Sequence, residues 1–226
     1  MPSAPEKLTA LRHLLAARFP SVPRTASSVL PTGIPSLDDA IGGLPLGAIT
    51  EIVCAAPSCG GQLLIGQLLA VTRVTRTRVA LIDSTDSFDP SSFADDLLAH
   101  LVWVRGATTI ILSAKASATA GALHAADLLA RDANLGLVIL DLRRAPAADL
   151  RRIPSTQWYR LQRAVDSAEL AFVVITPRAT VPSAQVRFAL ATLHIVAALD
   201  RERPALTAAL TPLLQRQRQQ PAAAAS

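Results

Sequence analysis

A glycine-rich turn after an apolar run is the first place in this sequence where chemistry is expected. Residues 50–69 read TEIVCAAPSCGGQLLIGQLL, the strand, turn and helix order of a phosphate-binding loop. Such a loop has the pattern G-x-x-x-x-G-K-[ST], in which backbone N–H groups and the lysine bind phosphates and the hydroxyl binds Mg²⁺. Here the frame runs from Ala55 to Gly60, and Gly61 and Gln62 take the lysine and hydroxyl positions. We therefore expect no bound ATP and no other cofactor.

Two interpretations of this turn stay open. Gly60, Gly61 and Gln62 retain backbone N–H groups at a predicted helix N-terminus, where an anion binds favourably. In the alternative, which we prefer, Gly60 and Gly61 form a tight turn without a ligand. Cys59 lies near the same helix start, which lowers the pKa of a thiol. We interpret Cys54 and Cys59 as ordinary thiols, and the scattered histidines show no metal-ligand spacing, so we predict no metal site.

Asp141 ends a second apolar run, LVILD, at residues 137–141. A carboxylate in this position can hold Mg²⁺ through water, but it cannot drive phosphoryl transfer alone. The alternative is a cap or a salt bridge with Arg143 or Arg144, and this is the interpretation that we prefer. We therefore predict no catalytic residue in the chain.

Residues 143–163, here called the arginine segment, carry most of the candidate residues for binding a partner or nucleic acid. They are Arg143, Arg144, Arg151, Arg152, Arg160 and Arg163. One hypothesis is a face that contacts phosphates or an acidic partner. The alternative is a solvated helix face whose arginine stems cover apolar surface. We prefer the alternative slightly, because we find no aromatic residues between these charges for stacking on single-stranded DNA.

Residues 1–30 form the first predicted segment of the chain. Leu11 and Leu15 share one helical face with two other apolar residues of 6–19, and prolines at 20 and 23 end this amphipathic helix. The helix either docks on a partner or packs on its own domain. A linker rich in proline and serine follows it.

Residues 31–199 are predicted to form one α/β domain with a mostly parallel sheet flanked by helices. The predicted strands are Ile49–Cys54, Val79–Asp83, Leu137–Asp141 and Ala171–Thr176. The predicted helices are Gln62–Val74, Ser92–Leu101, Gly121–Arg131 and Thr156–Ser167. Further strands are considered at Thr108–Ser113, within an insertion over 106–120, and at Arg187–Leu199. Residues 200–226 are predicted to be a basic, low-complexity, disordered tail.

Composition limits the classes of protein that this chain can belong to. Of its 226 residues, 50% are hydrophobic and 17% are charged, which excludes a wholly disordered chain. No apolar run approaches the ~18 residues of a membrane span, and the N-terminus lacks a signal pattern, so we expect a cytoplasmic protein without membrane contact. The net charge of +5 is compatible with an anionic partner such as nucleic acid.

Three segments together resemble the RecA recombinase superfamily. They are LPTGIPSLDDAIGGLPLGAITEI at 30–52, LIDSTDSFDP at 81–90 and LGLVILD at 135–141. The resemblance covers roughly residues 30–195 and implies a RecA-like core in which Asp141 is the Walker B carboxylate. It also implies a catalytic glutamate at the position of Thr85, beside Asp86, and a γ-phosphate-sensing glutamine near Pro177. Since neither residue is present, the resemblance implies a RecA-type ATPase site that has lost its function.

Within this superfamily the chain looks most like the ImuA-type proteins. The segments that resemble them include residues 122–143 and RRIPSTQWYRLQRAVD at 151–166. This resemblance implies a non-catalytic accessory protein of SOS-induced translesion synthesis. Its implied partners are an inactive relative of Y-family polymerases (ImuB), an error-prone polymerase, RecA and DNA. The alternatives are an ATP-dependent, DNA-binding RecA paralogue that uses Asp86, and a cell-division inhibitor similar to SulA.

Overall fold

A seven-stranded sheet organises the chain in this computed structural model, which describes residues 29–106 and 117–218 except for the side chain at 199. The described strands are β1 (Val29–Leu30), β2 (Leu44–Pro45), β3 (Ala48–Val53), β4 (Val79–Asp83), β5 (Leu101–Arg105), β6 (Leu137–Asp141), β7 (Ala171–Thr176), β8 (Val186–Leu190) and β9 (Pro212–Gln217). The described α-helices are α1 (Pro35–Ile41), α2 (Gly61–Val74), α3 (Asp95–Leu98), α4 (Ala118–Leu129), α5 (Ala147–Arg152), α6 (Ser155–Asp166) and α7 (Arg203–Ala208). Two 3₁₀ turns lie at Pro90–Ser92 and Val196–Asp200.

The strands of the main sheet lie in the order β5-β4-β6-β7-β3-β8-β9. Neighbouring strands from β5 to β8 pair in parallel, whereas β9 pairs antiparallel with β8. Strands β1 and β2 form a separate antiparallel pair. The prediction of an α/β fold with a mostly parallel sheet and flanking helices is therefore confirmed.

The four central strands are apolar on both sides because helices cover both faces of the sheet. Every residue of β3, β4, β6 and β7 is buried. On one face, side chains such as Ile52 and Leu81 pack with Leu64 and Leu68 of α2. On the other face, alternate residues of the same strands pack with α4, α5 and α6, including the buried Trp158. The predicted bounds of β4, β6 and β7 agree with the structure.

The region between β4 and α4 differs from its prediction. The predicted helix Ser92–Leu101 is wrong, since only α3, four residues long, is helical there and β5 begins at Leu101. The residues LVWVR of β5 are β-branched, aromatic or long, which suits a strand, and they pair with β4 along its whole length. The possible strand Thr108–Ser113 and most of the predicted insertion lie at 107–116, outside the described residues.

The C-terminal region also differs from its prediction. Helix α7 and strand β9 occupy part of the segment predicted to be a disordered tail, and all described residues up to 218 belong to one compact unit. Pairing with β8 satisfies the backbone of β9, and Leu210 is almost fully buried just before it. The low-complexity composition of this segment gave no indication of an edge strand. Residues 219–226, like the N-terminal segment with Leu11 and Leu15, lie outside the described residues.

None of the described helices combines the length and the apolar character that a membrane crossing requires.

Candidate functional site

The glycine-rich turn lies at the carboxyl end of β3, beside the ends of β7 and β6. The Cys54 N–H donates a hydrogen bond of 2.7 Å to the Thr176 carbonyl oxygen, which joins the start of the turn to the end of β7. Strand β7 itself lies between β3 and β6 in the sheet, so Asp141 is one strand further along. Open parallel sheets bind their ligands at this edge. The predicted candidate residues of the turn and Asp141 are thus brought to one place.

The turn has a backbone conformation that requires glycine. Gly60 has φ of 93°, in the left-handed region that favours glycine, and it immediately precedes the first residue of α2. A Cβ atom on Gly60 would collide with the side chain of Leu210. The His194 N–H also donates to the Ser58 carbonyl oxygen over 3.0 Å. The segment that follows β8 therefore covers the outer side of the turn.

Arg143 fills the space on the inner side of the turn. Its Nε lies 2.9 Å from Oδ1 of Asp141 and its Nη2 lies 2.5 Å from Oδ2 of the same carboxylate. Nη2 also donates over 3.3 Å to Oε1 of Gln62. A Cβ atom on Gly61 would lie 2.5 Å from Nη1 of Arg143. Any side chain at Gly61 would therefore meet this guanidinium.

The ion pair is sheltered from solvent on both sides. The side chain of Asp141 is 3% exposed and that of Arg143 is 18% exposed. Burial opposes the charge on Arg143, but the hydrogen bonds and the negative charge of Asp141 raise its pKa above the ordinary value. The preferred interpretation of Asp141, a salt bridge with Arg143 or Arg144, is borne out with Arg143. Arg144 is exposed.

One of two free cysteines beside the guanidinium adds negative charge. The hydrogen bond from the Cys54 thiol lowers the pKa of Cys59 to about 6; burial opposes this shift, and the Gly61 N–H and the charge of Arg143 assist it. The same thiol–thiol hydrogen bond and burial raise the pKa of Cys54. Cys59 is therefore largely a thiolate at neutral pH. Arg143 thus has two anionic neighbours, Asp141 and Cys59.

The loop after β4 holds the carboxylate that the RecA resemblance offered as a substitute for the catalytic glutamate. Asp86 accepts hydrogen bonds of 2.7 and 2.6 Å from Nε and Nη2 of Arg105. This bidentate pair lowers the pKa of Asp86. Asp83 at the end of β4 accepts from the Phe88 N–H over 2.7 Å and so fixes the loop. Both carboxylates therefore have cationic or backbone donors of their own.

Glu51 in the middle of the sheet was missed as a candidate. It is fully buried, and its Oε1 accepts from the Thr176 hydroxyl at 2.9 Å and from the Thr180 and Val181 N–H groups at 2.6 and 3.1 Å. Its Oε2 accepts from Nε of Arg187 at 2.6 Å. The sequence did contain a signal for this pair, because TEIVC and VRFAL are strand-like runs that each carry a single charged residue, Glu51 and Arg187. This network joins β3, β7 and β8.

The arginine segment divides into three groups in the structure. Arg143 was predicted on the partner surface, but its guanidinium points to Asp141 because that carboxylate is buried two residues away. Arg144, Arg151 and Arg152 are exposed, the last lying 4.0 Å from Asp149. Arg160 and Arg163 of α6 line a cleft together with Arg131, which follows α4.

This cleft, here called the α4–α6 cleft, has a volume of about 450 Å³. Its lining residues are Arg131, Thr156, Tyr159, Arg160, Arg163 and Ala164. Tyr159 is 48% exposed, in contrast to its buried neighbour Trp158. An aromatic residue thus does lie among the charges, contrary to our expectation from the sequence. The sequence signal for this cleft was the spacing of positions 156, 159, 160 and 163, which places their side chains on one helical face.

No protein-family model matches the chain, and no curated protein matches it. Within the described ranges, no group of three or more His, Cys, Asp or Glu side chains is arranged to hold a metal ion.

Proposed function

We propose that the chain is a RecA-like accessory protein of damage-induced translesion DNA synthesis, of the ImuA type, which acts as an adaptor without hydrolysing ATP. The three segments that resemble the RecA superfamily support this proposal by their positions. They fall on α1 to β3, on β4 with its following loop, and on β6. The carboxyl ends of β3, β4 and β6 lie at the edge of the sheet that carries the glycine-rich turn, where a RecA-type nucleotide site would lie.

The ion pair between Arg143 and Asp141 beside Gly61 carries the proposal. The residues at this position do not fit Mg-ATP. A guanidinium takes the space that a lysine at position 61 would use, and it engages the carboxylate that would hold Mg²⁺ through water. Asp141 and the Cys59 thiolate already surround this cation, so a phosphate arriving here would meet negative charge.

The outer cover of the turn supports the same proposal. Leu210 lies against Gly60, and the His194 N–H is bonded to Ser58. Approach of a nucleotide to these backbone groups would require the segment between β8 and β9 to leave. The ATP-dependent alternative also loses its proposed carboxylate, since Asp86 is bound to Arg105.

Under this proposal the protein works through surfaces that bring other proteins together. The proposed partners are the ImuB-like polymerase relative, the error-prone polymerase and RecA, with DNA as a further ligand. A chain that does not turn over ATP has no energy source for remodelling these partners. Its assembly with them should therefore be independent of nucleotide.

The test combines a binding assay with a genetic assay. We expect the purified chain to capture the ImuB-like protein equally well without nucleotide and with a non-hydrolysable ATP analogue. We also expect deletion of its gene to abolish ultraviolet-induced mutation and the restored gene to recover it. Capture that requires the analogue would favour the ATP-dependent alternative. Unchanged mutation with altered cell filamentation would favour the SulA-like alternative.

A further inference from the structure

We propose that the α4–α6 cleft binds single-stranded nucleic acid, with phosphates on Arg131, Arg160 and Arg163 and a base stacked on Tyr159. The inference rests on the proposed function, which includes DNA as a further ligand, and assigns a binding site to that ligand. The cleft belongs to the helical layer of α4 and α6, whereas the glycine-rich turn leads into α2 on the opposite face of the sheet.

The charges of the cleft favour a polyanion. Its three arginines come from two elements, and none of the described residues that line it is acidic. Asp127 lies 3.3 Å from Nη2 of Arg131 and 3.4 Å from Nε of Arg160. One carboxylate thus tethers two guanidinium groups, whose side chains remain 55% and 61% exposed. Planar, multiple-donor cations of this kind suit phosphate recognition.

Tyr159 distinguishes a nucleic acid from other polyanions. Its ring is half exposed on the same helical face as Arg163, one turn further along α6. An acidic peptide would use the arginines but would gain little from an exposed ring. A nucleobase, in contrast, stacks on an aromatic ring whatever its sequence while the adjoining phosphates bind cations.

The size of the cleft favours a single strand over a duplex. Its volume of about 450 Å³ lies within the range of ~300–1,000 Å³ that is typical of small-molecule sites, so it can accept one nucleotide unit. Bases inside a duplex are paired and stacked on each other, so they are not free to stack on Tyr159. Unstacked bases of a single strand can do so.

The test measures binding of a fluorescent oligothymidylate of about 20 nucleotides by anisotropy, at about 50 and 200 mM salt. We expect Tyr159→Ala to weaken binding about 5-fold to 100-fold and Tyr159→Phe, which keeps the ring, to retain most of the affinity. Arg163→Gln should reduce the steepness of the plot of log binding constant against log salt concentration by about 0.7. Arg201→Gln is the matched control, because it removes the same charge from an exposed position that lies outside both the cleft lining and the arginine segment.

Two competitors complete the experiment. We expect unlabelled single strand to displace the probe and polyglutamate of equal charge to leave it bound, with a duplex of the same length competing weakly. The proposal is overturned if Tyr159→Ala binds as the unchanged chain does, or if Arg201→Gln has the same effect as Arg163→Gln. Equal competition by polyglutamate would also overturn it and point to an acidic protein ligand. Thermal melts of each variant confirm that it is folded.

Discussion

The guanidinium of Arg143 lies between the carboxylate of Asp141, 2.5 Å from Nη2, and the first residue of helix α2. It reaches there from the end of β6, across the end of β7, to the turn that follows β3. The chain thus supplies its own cation at the edge where open parallel sheets bind their ligands, beside a helix N-terminus that favours an anion.

Gly61 and Arg143 should be energetically coupled. Gly61→Ala places a Cβ atom 2.5 Å from Nη1 of Arg143, so we expect it to destabilise the fold by about 1–3 kcal/mol. In an Arg143→Ala background the same change should cost less, because the nearest obstructing group is gone and only Sγ of Cys54, 3.1 Å from the added Cβ atom, remains close. Urea unfolding of the four chains measures this coupling. Arg144→Ala, which removes an exposed arginine, serves as the control background. The coupling would be refuted if Gly61→Ala lowered the free energy of unfolding equally in the Arg143→Ala and Arg144→Ala backgrounds.

Cys59 should titrate below the usual range of a thiol. Its pKa is about 6, because the Cys54 thiol donates a hydrogen bond to it, and burial only partly opposes this. Thiolate absorbance near 240 nm should therefore rise with a midpoint near pH 6, and Cys59→Ser should remove this step. Cys54→Ala should move the midpoint upward, since it removes the donor. A first thiolate step only at the ordinary value of about 8.5 would contradict this account.

The same pKa shift has a defined sign for stability. The folded-state pKa of Cys59 lies below the value of an unfolded thiol. Its contribution to the free energy of unfolding is therefore fully present above about pH 8.5 and is lost as the pH falls through about 6. Comparison of the unchanged chain with Cys59→Ser across this pH range measures the contribution.

Glu51 and Arg187 should behave as a buried pair. Removing one partner leaves a charge inside the sheet, so we expect Glu51→Leu or Arg187→Met to cost about 3–5 kcal/mol each. The double variant should cost clearly less than the sum of the two. Arg152→Met, which breaks the exposed contact with Asp149, is the control and should change stability by at most about 0.5 kcal/mol. Additive losses from the buried pair would contradict the network.

Strand β9 should be part of the folded core. A chain that ends at Thr211 leaves β8 as an unpaired edge, so we expect the Tm to fall by roughly 5 °C or more and self-association to increase. A chain that ends at Arg218 keeps β9 whole and is the matched control. Calorimetry and light scattering report the two effects. Equal melting of both chains would show that β9 contributes nothing to stability.

The central sheet was predictable because its signal is local. Val79–Asp83, Leu137–Asp141 and Ala171–Thr176 are short, continuously apolar runs bounded by polar residues, and burial on both faces requires this composition. Helix α6 was equally clear, since Trp158, Leu161 and Val165 repeat at helical spacing. The salt bridge between Asp141 and Arg143 was one of two interpretations of Asp141. It was plausible because the two residues are only two positions apart in the sequence.

The errors fall where tertiary pairing overrides local pattern. Leu101 completes an apparent helical repeat that begins at Phe93, but parallel pairing with β4 makes Leu101–Arg105 a strand. Pro212–Gln217 has the composition of a tail, yet β8 supplies backbone partners for it. Tyr159 and Arg131 are 28 positions apart in sequence, so the cleft that they share emerges only when α4 and α6 pack together.

A calorimetric titration with Mg-ATP tests the central claim, that Arg143 takes the place of a nucleotide ligand at the turn. The unchanged chain should give no detectable heat of binding at millimolar Mg-ATP, and Arg144→Ala should behave identically as a control for charge. Saturable binding in the micromolar range by the unchanged chain would contradict the claim. It would mean that the guanidinium leaves Asp141 and that the turn accepts phosphate.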